Sequence, residues 1–314
     1  YIKDKSARLG YADVLPTAAI TKGQEGQEIT EIGFLRDAGV IAFTEDGKSV
    51  ANSGILRKAM TYSKPYDVLF MSHCEDKDLK GAGCMNAGAL ATEMGLGGIA
   101  NEVEDIIIMR DIMLAKMTGV RLHIQHLSTA SGLELVREAK AKGLPVTCEV
   151  TPHHLWFDDS RLTYRVNPPI RKADDMTALI NAIKDGTVTC IGTDHAPHTA
   201  EEKEKGAAGM VGLETAFAVC YTKLCRMEGL PLEMLSFLMS SGPAQVLGLD
   251  EHKGRLVPGF DADIVLVDTD HMFTVHADEL HSKSKNCPYD GESFYGQVMM
   301  TIKGGKVTYQ KDKQ

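Results

Sequence analysis

Short apolar runs of β-forming residues alternate with amphipathic segments along most of this chain, and that alternation restricts the fold more than any other feature. The runs are 13–20 (DVLPTAAI), 40–44 (VIAFT), 67–72 (DVLFMS), 120–126 (VRLHIQH), 145–151 (PVTCEVT) and 187–193 (TVTCIGT). Between and after them, helices are expected over 27–38, 53–62, 101–118, 130–142, 172–185 and 212–228. In 101–118, Val103, Ile106, Ile107, Met113, Leu114 and Met117 repeat at helical spacing and Gly119 ends the pattern. Thr129 and Ser131 are candidate caps for the next helix, which closes at Gly143. Strict βαβα order calls for a parallel sheet covered by helices. An open doubly wound sheet would carry a glycine-rich phosphate loop after a strand, and none of these runs has one. The α/β class with a TIM-type (β/α)8 barrel is therefore expected, with its site at the C-terminal ends of the strands.

Six βα units are visible where such a barrel has eight, so its first two strands are expected to be absent from this chain. The opening at Tyr1, without an initiator Met, agrees with that expectation. After about residue 250 the texture changes to β-type runs separated by Gly, Asp and Pro, with Gly304-Gly305 placed as a hairpin turn. The expected organisation is a barrel over 1–250 and a small β-sandwich appendage over 251–314.

Composition narrows the function classes. Net charge is −9, with acidic and basic residues well mixed, which favours neither a nucleic-acid nor a membrane partner. No apolar run reaches the roughly 18 residues of a membrane span. Seven cysteines, an odd number without a CxxC pair, sit mostly in apolar runs, as in a reduced, cytoplasmic protein.

The residues that end the strands carry the chemistry. The run at 188–191 leads into Gly192-Thr193-Asp194-His195-Ala196-Pro197-His198. Alone, that segment reads equally well as a capping Asp beside two surface histidines. The other strands change the balance: 40–44 runs into Glu45-Asp46, 67–72 into His73, 120–126 ends at His126, and 145–151 runs into His153-His154. Five strands of six deliver Asp or His to one face, where packing alone favours neither. Two His and two Asp that converge form a divalent-metal site of the zinc type, which generates hydroxide at neutral pH. Plainer readings suit other residues. Strand alternation points His123 away from His126, toward the helices. His252, His271, His276 and His281 fit surface positions, Trp156 fits packing, and Glu201–Lys205 fits a solvated loop or short helix.

The segments AFTEDG, MSHCED, IQHLST, EVTPHHL, VNPPIR, GTDHAPH and GMVGLET occur in this order. With SGPAQVLGL, GRLVPGFDADIVLVD and SKNCPYDG they cover essentially the whole chain, which resembles the bacterial-type dihydroorotases of the amidohydrolase superfamily. The resemblance implies a metal-dependent barrel and the reversible closure of N-carbamoyl-L-aspartate to dihydroorotate in pyrimidine biosynthesis. It further implies that Asp46 bridges two metals, that His73 and His126 bind one, and that Asp194 binds the other and acts as general base. Asn167, His198 and the backbone at Ala208 and Gly209 would contact substrate, leaving His195 structural. Zinc is the expected metal, a small molecule the expected partner, and a homo-oligomer the expected assembly.

Departures from the family pattern set further expectations. The family's first strand carries a His-x-His pair for the second metal and a nearby Arg for the substrate carboxylate, and an Asn follows its second strand. None of these is in the sequence. The 314-residue chain is thus expected to bind one metal tightly and to turn over poorly, whereas a form roughly one hundred residues longer, the size of two βα units with a leading β segment, would bind two. Glu45 stands where Asp is more usual, a change that leaves the bridging role to Asp46. Two other readings compete: a cyclic amidohydrolase of the dihydropyrimidinase or allantoinase kind, and an inactive dihydroorotase-like structural subunit.

Overall fold

In the computed structural model, which describes residues 1–160 and 164–311, each of the six runs contributes a strand to one parallel sheet. These are β1 (Thr17–Ala18), β2 (Ala42–Phe43), β3 (Leu69–Ser72), β6 (Arg121–Ile124), β7 (Val146–Val150) and β8 (Cys190–Ile191), in the order β1-β2-β3-β6-β7-β8. Spatial order follows chain order, with every pairing parallel. That is the winding of a (β/α) barrel, and it places every strand's C-terminal end on the same edge. A separate parallel pair, β4 (Met85–Asn86) and β5 (Gly98–Ile99), was not foreseen. These strands are two residues each, too short for alternation to show. Gly98 permits their approach, since a Cβ there would lie 2.7 Å from Ala87 Cα.

The helices match the expected segments closely where cap chemistry is strong. They include α1 (Ile2–Leu9), α2 (Ile32–Asp37), α3 (Ser53–Ser63), α4 (Lys77–Lys80), α5 (Ala89–Glu93), α6 (Glu102–Thr118), α7 (Ala130–Ala141), α8 (Pro152–Trp156) and α9 (Ala173–Lys184). Asn52 caps α3 by accepting from the Gly54 and Ile55 amides. Thr129 caps α7 through the Gly132 amide. Gly119 ends α6 at φ 76°, its amide donating to Ala115, as the sequence indicated. Buried apolar residues fill the layer between helices and sheet, among them Phe43, Phe70, Leu122, Ile124, Ile108 and Leu133.

The chain divides into two compact units, Pro16–Gly192 and Tyr1–Leu15 with Thr193–Gln314. The second contains α10 (Ala200–Glu204), α11 (Ala216–Cys220) and an antiparallel sheet of β9 (Ile264–Thr274), β10 (Ser293–Lys303) and β11 (Lys306–Gln310), in the order β11-β10-β9. Gly304 (φ 54°) and Gly305 (φ 78°) form the two-residue turn between β10 and β11, the left-handed pair that such hairpins require. The division does not follow the texture change at residue 250, because α11 packs on β10. Continuing as a wide-turned helix to Met227, α11 presents the Thr222 hydroxyl to the Tyr295 amide at 2.8 Å. Arg226 lies 4.5 Å above the Tyr295 ring. The N-terminal segment joins this unit through Asp13, 3.0 Å from both Lys253 and Lys303. No described helix is long and apolar enough to cross a membrane.

A buried ion pair ties several elements of the first unit together. Arg171 Nη2 lies 3.2 Å from Glu104 Oε2, both side chains being 3% exposed. The same guanidinium donates to Ser128 Oγ, Asn86 Oδ1 and the Ile99 carbonyl, while Glu104 accepts from the Ser128 amide at 2.8 Å. Arg171 thereby joins β4, β5 and α6 to the turn that follows β6. Removing one partner strands the other charge in the core. Arg171→Ala is expected to destabilise the fold by about 3–5 kcal/mol, measured as a lowered urea midpoint at unchanged m-value.

Candidate active site

Because parallel strands share an orientation, the residues just past β2, β3 and β6 emerge side by side. Along the chain after β2, successive side chains point in opposite directions. Glu45 turns inward, is 3% exposed, and accepts from the Thr21 amide at 2.6 Å and its hydroxyl at 2.7 Å. Its extra methylene relative to Asp reaches that partner, and Asp46 is left to face outward. Beyond β3 and β6, His73 and His126 bring their rings together, centroids 4.7 Å apart and planes at 82°. His73 Nδ1 lies 2.8 Å from His126 Nε2, and Asp46 Oδ1 lies 3.2 Å from the first and 3.8 Å from the second.

These three distances bracket the roughly 3.3 Å edge of a tetrahedron whose bonds to zinc are 2.0–2.1 Å. The donors fit a divalent cation on chemical grounds as well. Two imidazole nitrogens in close contact, with a carboxylate against both, leave one point for a shared positive centre. The two imidazoles are buried, at 3% and 2% exposure, whereas Asp46 is 37% exposed, so the group is walled on one side and open on the other. Burial raises the Asp46 pKa, but hydrogen bonds from His126 and His73 outweigh it and hold the carboxyl well below the usual range.

The surrounding backbone is latched in place. Ser49 Oγ donates to the His73 carbonyl and accepts from the Glu75 amide at 3.0 Å. Thr44 Oγ1 bonds Gln125 at 2.8 Å, joining the ends of β2 and β6. His126 has φ 34°, a left-handed conformation that a side-chain-bearing residue seldom adopts without a functional reason. Its amide approaches Glu149 Oε1 at 3.4 Å. Glu149 is itself held by His123, whose ring contacts Glu149 Oε2 at 3.2 Å and Thr147 Oγ1 at 2.8 Å. His123 therefore does not face the helices as expected. It shares a face with Thr147 and Glu149, opposite the buried Val146, Cys148 and Val150. Burial raises the Glu149 pKa, and His123 more than offsets this, keeping the carboxyl low.

The histidines after β7 lie on the short helix α8, so they do not join Asp46, His73 and His126. His154 is structural, bonded to Thr151 Oγ1 at 2.7 Å and to the Pro168 carbonyl at 3.1 Å. His153 is 1% exposed with neither ring nitrogen partnered. Burial, with the neighbouring His154 and His126, pushes its pKa well below the usual value. Asn167, in the same unit, donates to the Val166 carbonyl at 2.9 Å, and its amide oxygen accepts from Lys80 Nζ at 2.5 Å.

Asp194 belongs to the second unit and is not among the three clustered donors. At φ 49° it shares with His126 a left-handed conformation. His195 is structural: its Nδ1 accepts from the Gly212 amide at 3.1 Å. His198, Ala208 and Gly209 do meet. His198 Nε2 bonds the Ala208 carbonyl at 2.8 Å, and Gly209 (φ 129°) runs so close that a Cβ would lie 3.2 Å from that nitrogen. The exposed helix α10, capped by Thr199 and Glu202, sends Lys203 Nζ to the Ala207 and Gly209 carbonyls at 2.8 and 2.9 Å.

Comparison with known proteins gives the family. A family model described as Dihydro-orotase-like matches residues 2–132, and one described as Amidohydrolase family matches 107–309. The dihydroorotase of Thermoanaerobacter sp. (strain X514) is 44% identical over 323 residues, spanning 100% of this chain and 74% of the relative. The chain belongs to the dihydroorotase family. The dihydroorotase of Acetivibrio thermocellus is 42% identical, over 99% of this chain and 75% of its own. Among solved structures, the L-hydantoinase (dihydropyrimidinase) from Arthrobacter aurescens superposes on 99% of this chain and 73% of its own, with a TM-score of 0.85 at 26% identity. A D-hydantoinase from Thermus sp. shares the fold, with a TM-score of 0.82 at 22% identity over 96% of this chain and 72% of its own. The fold is thus the (β/α) barrel of the amidohydrolases with an appended antiparallel sheet.

Several polar residues of this dihydroorotase-family chain escaped the sequence reading. Asn286 Nδ2 donates to the Ala196 and Gly209 carbonyls at 3.1 and 3.2 Å, holding the loop that carries His198. It lies in SKNCPYDG, a segment that signalled resemblance but gave no role. Lys80 and Glu149 are charged residues in ordinary contexts, and only their long-range partners distinguish them. Two outcomes test the first unit's group. His73→Ala removes one of three donors and is expected to bring bound divalent metal, measured by inductively coupled plasma mass spectrometry, close to background while circular dichroism is unchanged. Gly192→Ala would place a Cβ 2.5 Å from the Glu149 carboxyl group, and is expected to cost about 1–3 kcal/mol in thermal or urea unfolding.

Proposed function

We propose that the protein acts as a dihydroorotase, interconverting dihydroorotate and N-carbamoyl-L-aspartate in cytoplasmic pyrimidine biosynthesis. The observation that carries this reading is the convergence of Asp46, His73 and His126 in a chain 44% identical to a dihydroorotase along its whole length. We assign the catalytic barrel to 1–250 and the β-sandwich portion to 251–314.

Hydrolysis of the cyclic amide breaks the ring C–N bond, forms a C–O bond from water and moves one proton from that water to the departing nitrogen. Asp46, His73 and His126 would hold one zinc ion, and Asp194 would serve a second metal as well as the proton transfer. When bound, such an ion polarises the carbonyl and lowers the pKa of water. The residues supply the rest. Asp194 accepts the proton and returns it to nitrogen, a task that needs a carboxylate. Asn167, His198 and the backbone at Ala208 and Gly209 bind the substrate's polar groups. His198 is held through Nε2 to the Ala208 carbonyl of the same segment.

A second reading, a hydantoinase-type activity, is favoured by the structural neighbours. Rates on dihydroorotate, hydantoin, dihydrouracil and allantoin distinguish the two, and dihydroorotate is expected to dominate. Turnover of none of the four by the metal-loaded protein would instead support an inactive structural subunit. Asp194→Asn is expected to lower kcat by roughly 10²–10⁴ while retaining the fold, because an amide cannot take up the proton. His198→Ala is expected to raise KM with a smaller change in kcat. Full turnover by Asp194→Asn would remove Asp194 from the mechanism.

A further inference from the structure

The ladder between β6 and β7 loses its register at His126. It runs in parallel through His123–Thr147 and Ile124–Cys148, with the Leu122 amide donating to the Pro145 carbonyl. Carried forward two residues at a time, it would set the His126 amide on the Glu149 carbonyl. The Leu127 amide takes that carbonyl instead, at 2.9 Å. One extra residue has entered on the β6 side, and the chain absorbs it at His126, where φ is 34°. Such a bulge re-aims a side chain and leaves one residue out of the ladder. Here the re-aimed side chain is a donor of the metal group, and the amide left out is its own.

His126 is 2% exposed, so its displaced amide lies out of reach of bulk water and would be costly without an acceptor. Glu149 supplies one, its Oε1 standing 3.4 Å from that amide. A single residue of β7 thus holds both consecutive amides of the turn, that of 126 through its side chain and that of 127 through its main chain. The carboxylate is itself confined. His123 Nε2 lies 3.2 Å from its Oε2, and His123 Nδ1 is anchored 2.8 Å from Thr147 Oγ1. The Gly192 backbone comes so near that a Cβ there would lie 2.5 Å from the carboxyl group. The φ of His126 sets the direction of its Cα–Cβ bond. Fixing the amide therefore fixes where the ring stands, with Nε2 2.8 Å from His73 Nδ1.

We propose that Glu149, clamped by His123, is a positioning residue for the metal group, holding His126 in its bulged conformation by accepting from its amide. The proposal rests on the reading of Asp46, His73 and His126 as metal donors. Zinc affinity of the whole protein, measured by competition with a chromophoric chelator, tests it alongside the visible absorption of the cobalt(II)-loaded form, which reports donor geometry. Glu149→Leu, close in size but without an acceptor, is expected to weaken zinc binding about 10- to 100-fold and to change the cobalt spectrum. Glu149→Gln keeps an oxygen for the His126 amide and is expected to stay close to wild type in both. His123→Leu leaves the carboxylate in place but unclamped, and its affinity is expected to fall between the two; it carries the test if circular dichroism shows Glu149→Leu unfolded. Wild-type affinity and spectrum in both leucine variants overturn the proposal. Equal losses in Glu149→Gln and Glu149→Leu overturn the acceptor role. Zinc held no more tightly by wild type than by His73→Ala would instead overturn the metal reading itself, and this proposal with it.

Discussion

The meeting of two imidazole nitrogens 2.8 Å apart, with a carboxylate oxygen 3.2 and 3.8 Å from them, is the constraint around which the first unit is organised. Three side chains from positions 46, 73 and 126 can meet so closely only if their strands are adjacent, parallel and in register. β2, β3 and β6 satisfy this through the pairings Phe43–Phe70 and Phe70–Leu122. A one-residue slip would turn any of the three to the other face.

Around that group the polar residues act as latches. Thr44 ties the end of β2 to Gln125, Ser49 ties the following loop to the His73 backbone, and Arg171 with Glu104 grips Ser128, two residues past His126. Each contact is ordinary alone. Together they hold His126 in a left-handed backbone conformation that it would not adopt in isolation. The stability of the buried network and the geometry of the donors are in this sense one property. Helix α6 takes part in it, since its buried face supplies Glu104 to the network.

Much of this was legible in the sequence, and the residues show why. The six strands were readable because runs such as VTCEV are short, rich in β-forming residues and set between helical segments, and helix ends were readable where Asn52, Thr129 and Gly119 supply local cap chemistry. Asp46, His73 and His126 stood out because strand ends rarely carry such groups. The misses have local causes. Strands β4 and β5 are too short for a pattern. His153 and His154 looked like a strand end, but Pro152 at the first position of a helix starts α8 there. His123 was placed on the wrong side by counting back from His126, and the left-handed turn at His126 breaks the alternation on which that count depends. In α6, Ile106 and Met113 read as part of one apolar helix, with nothing to separate a core face from an exposed one.

By itself the sequence determined the alternation of elements, their parallel pairing, the Gly304-Gly305 hairpin and the candidate donors at the strand ends. All of these follow from period, cap and turn chemistry acting within a few residues. The tertiary structure alone decided that Glu45 turns inward to Thr21, that Glu149 rests on His123, that Arg171 is buried against Glu104, and that α6 keeps an apolar face exposed. These depend on partners 24 to 67 residues away along the chain. No local rule reaches that far, because the contact exists only once packing has brought the two segments together.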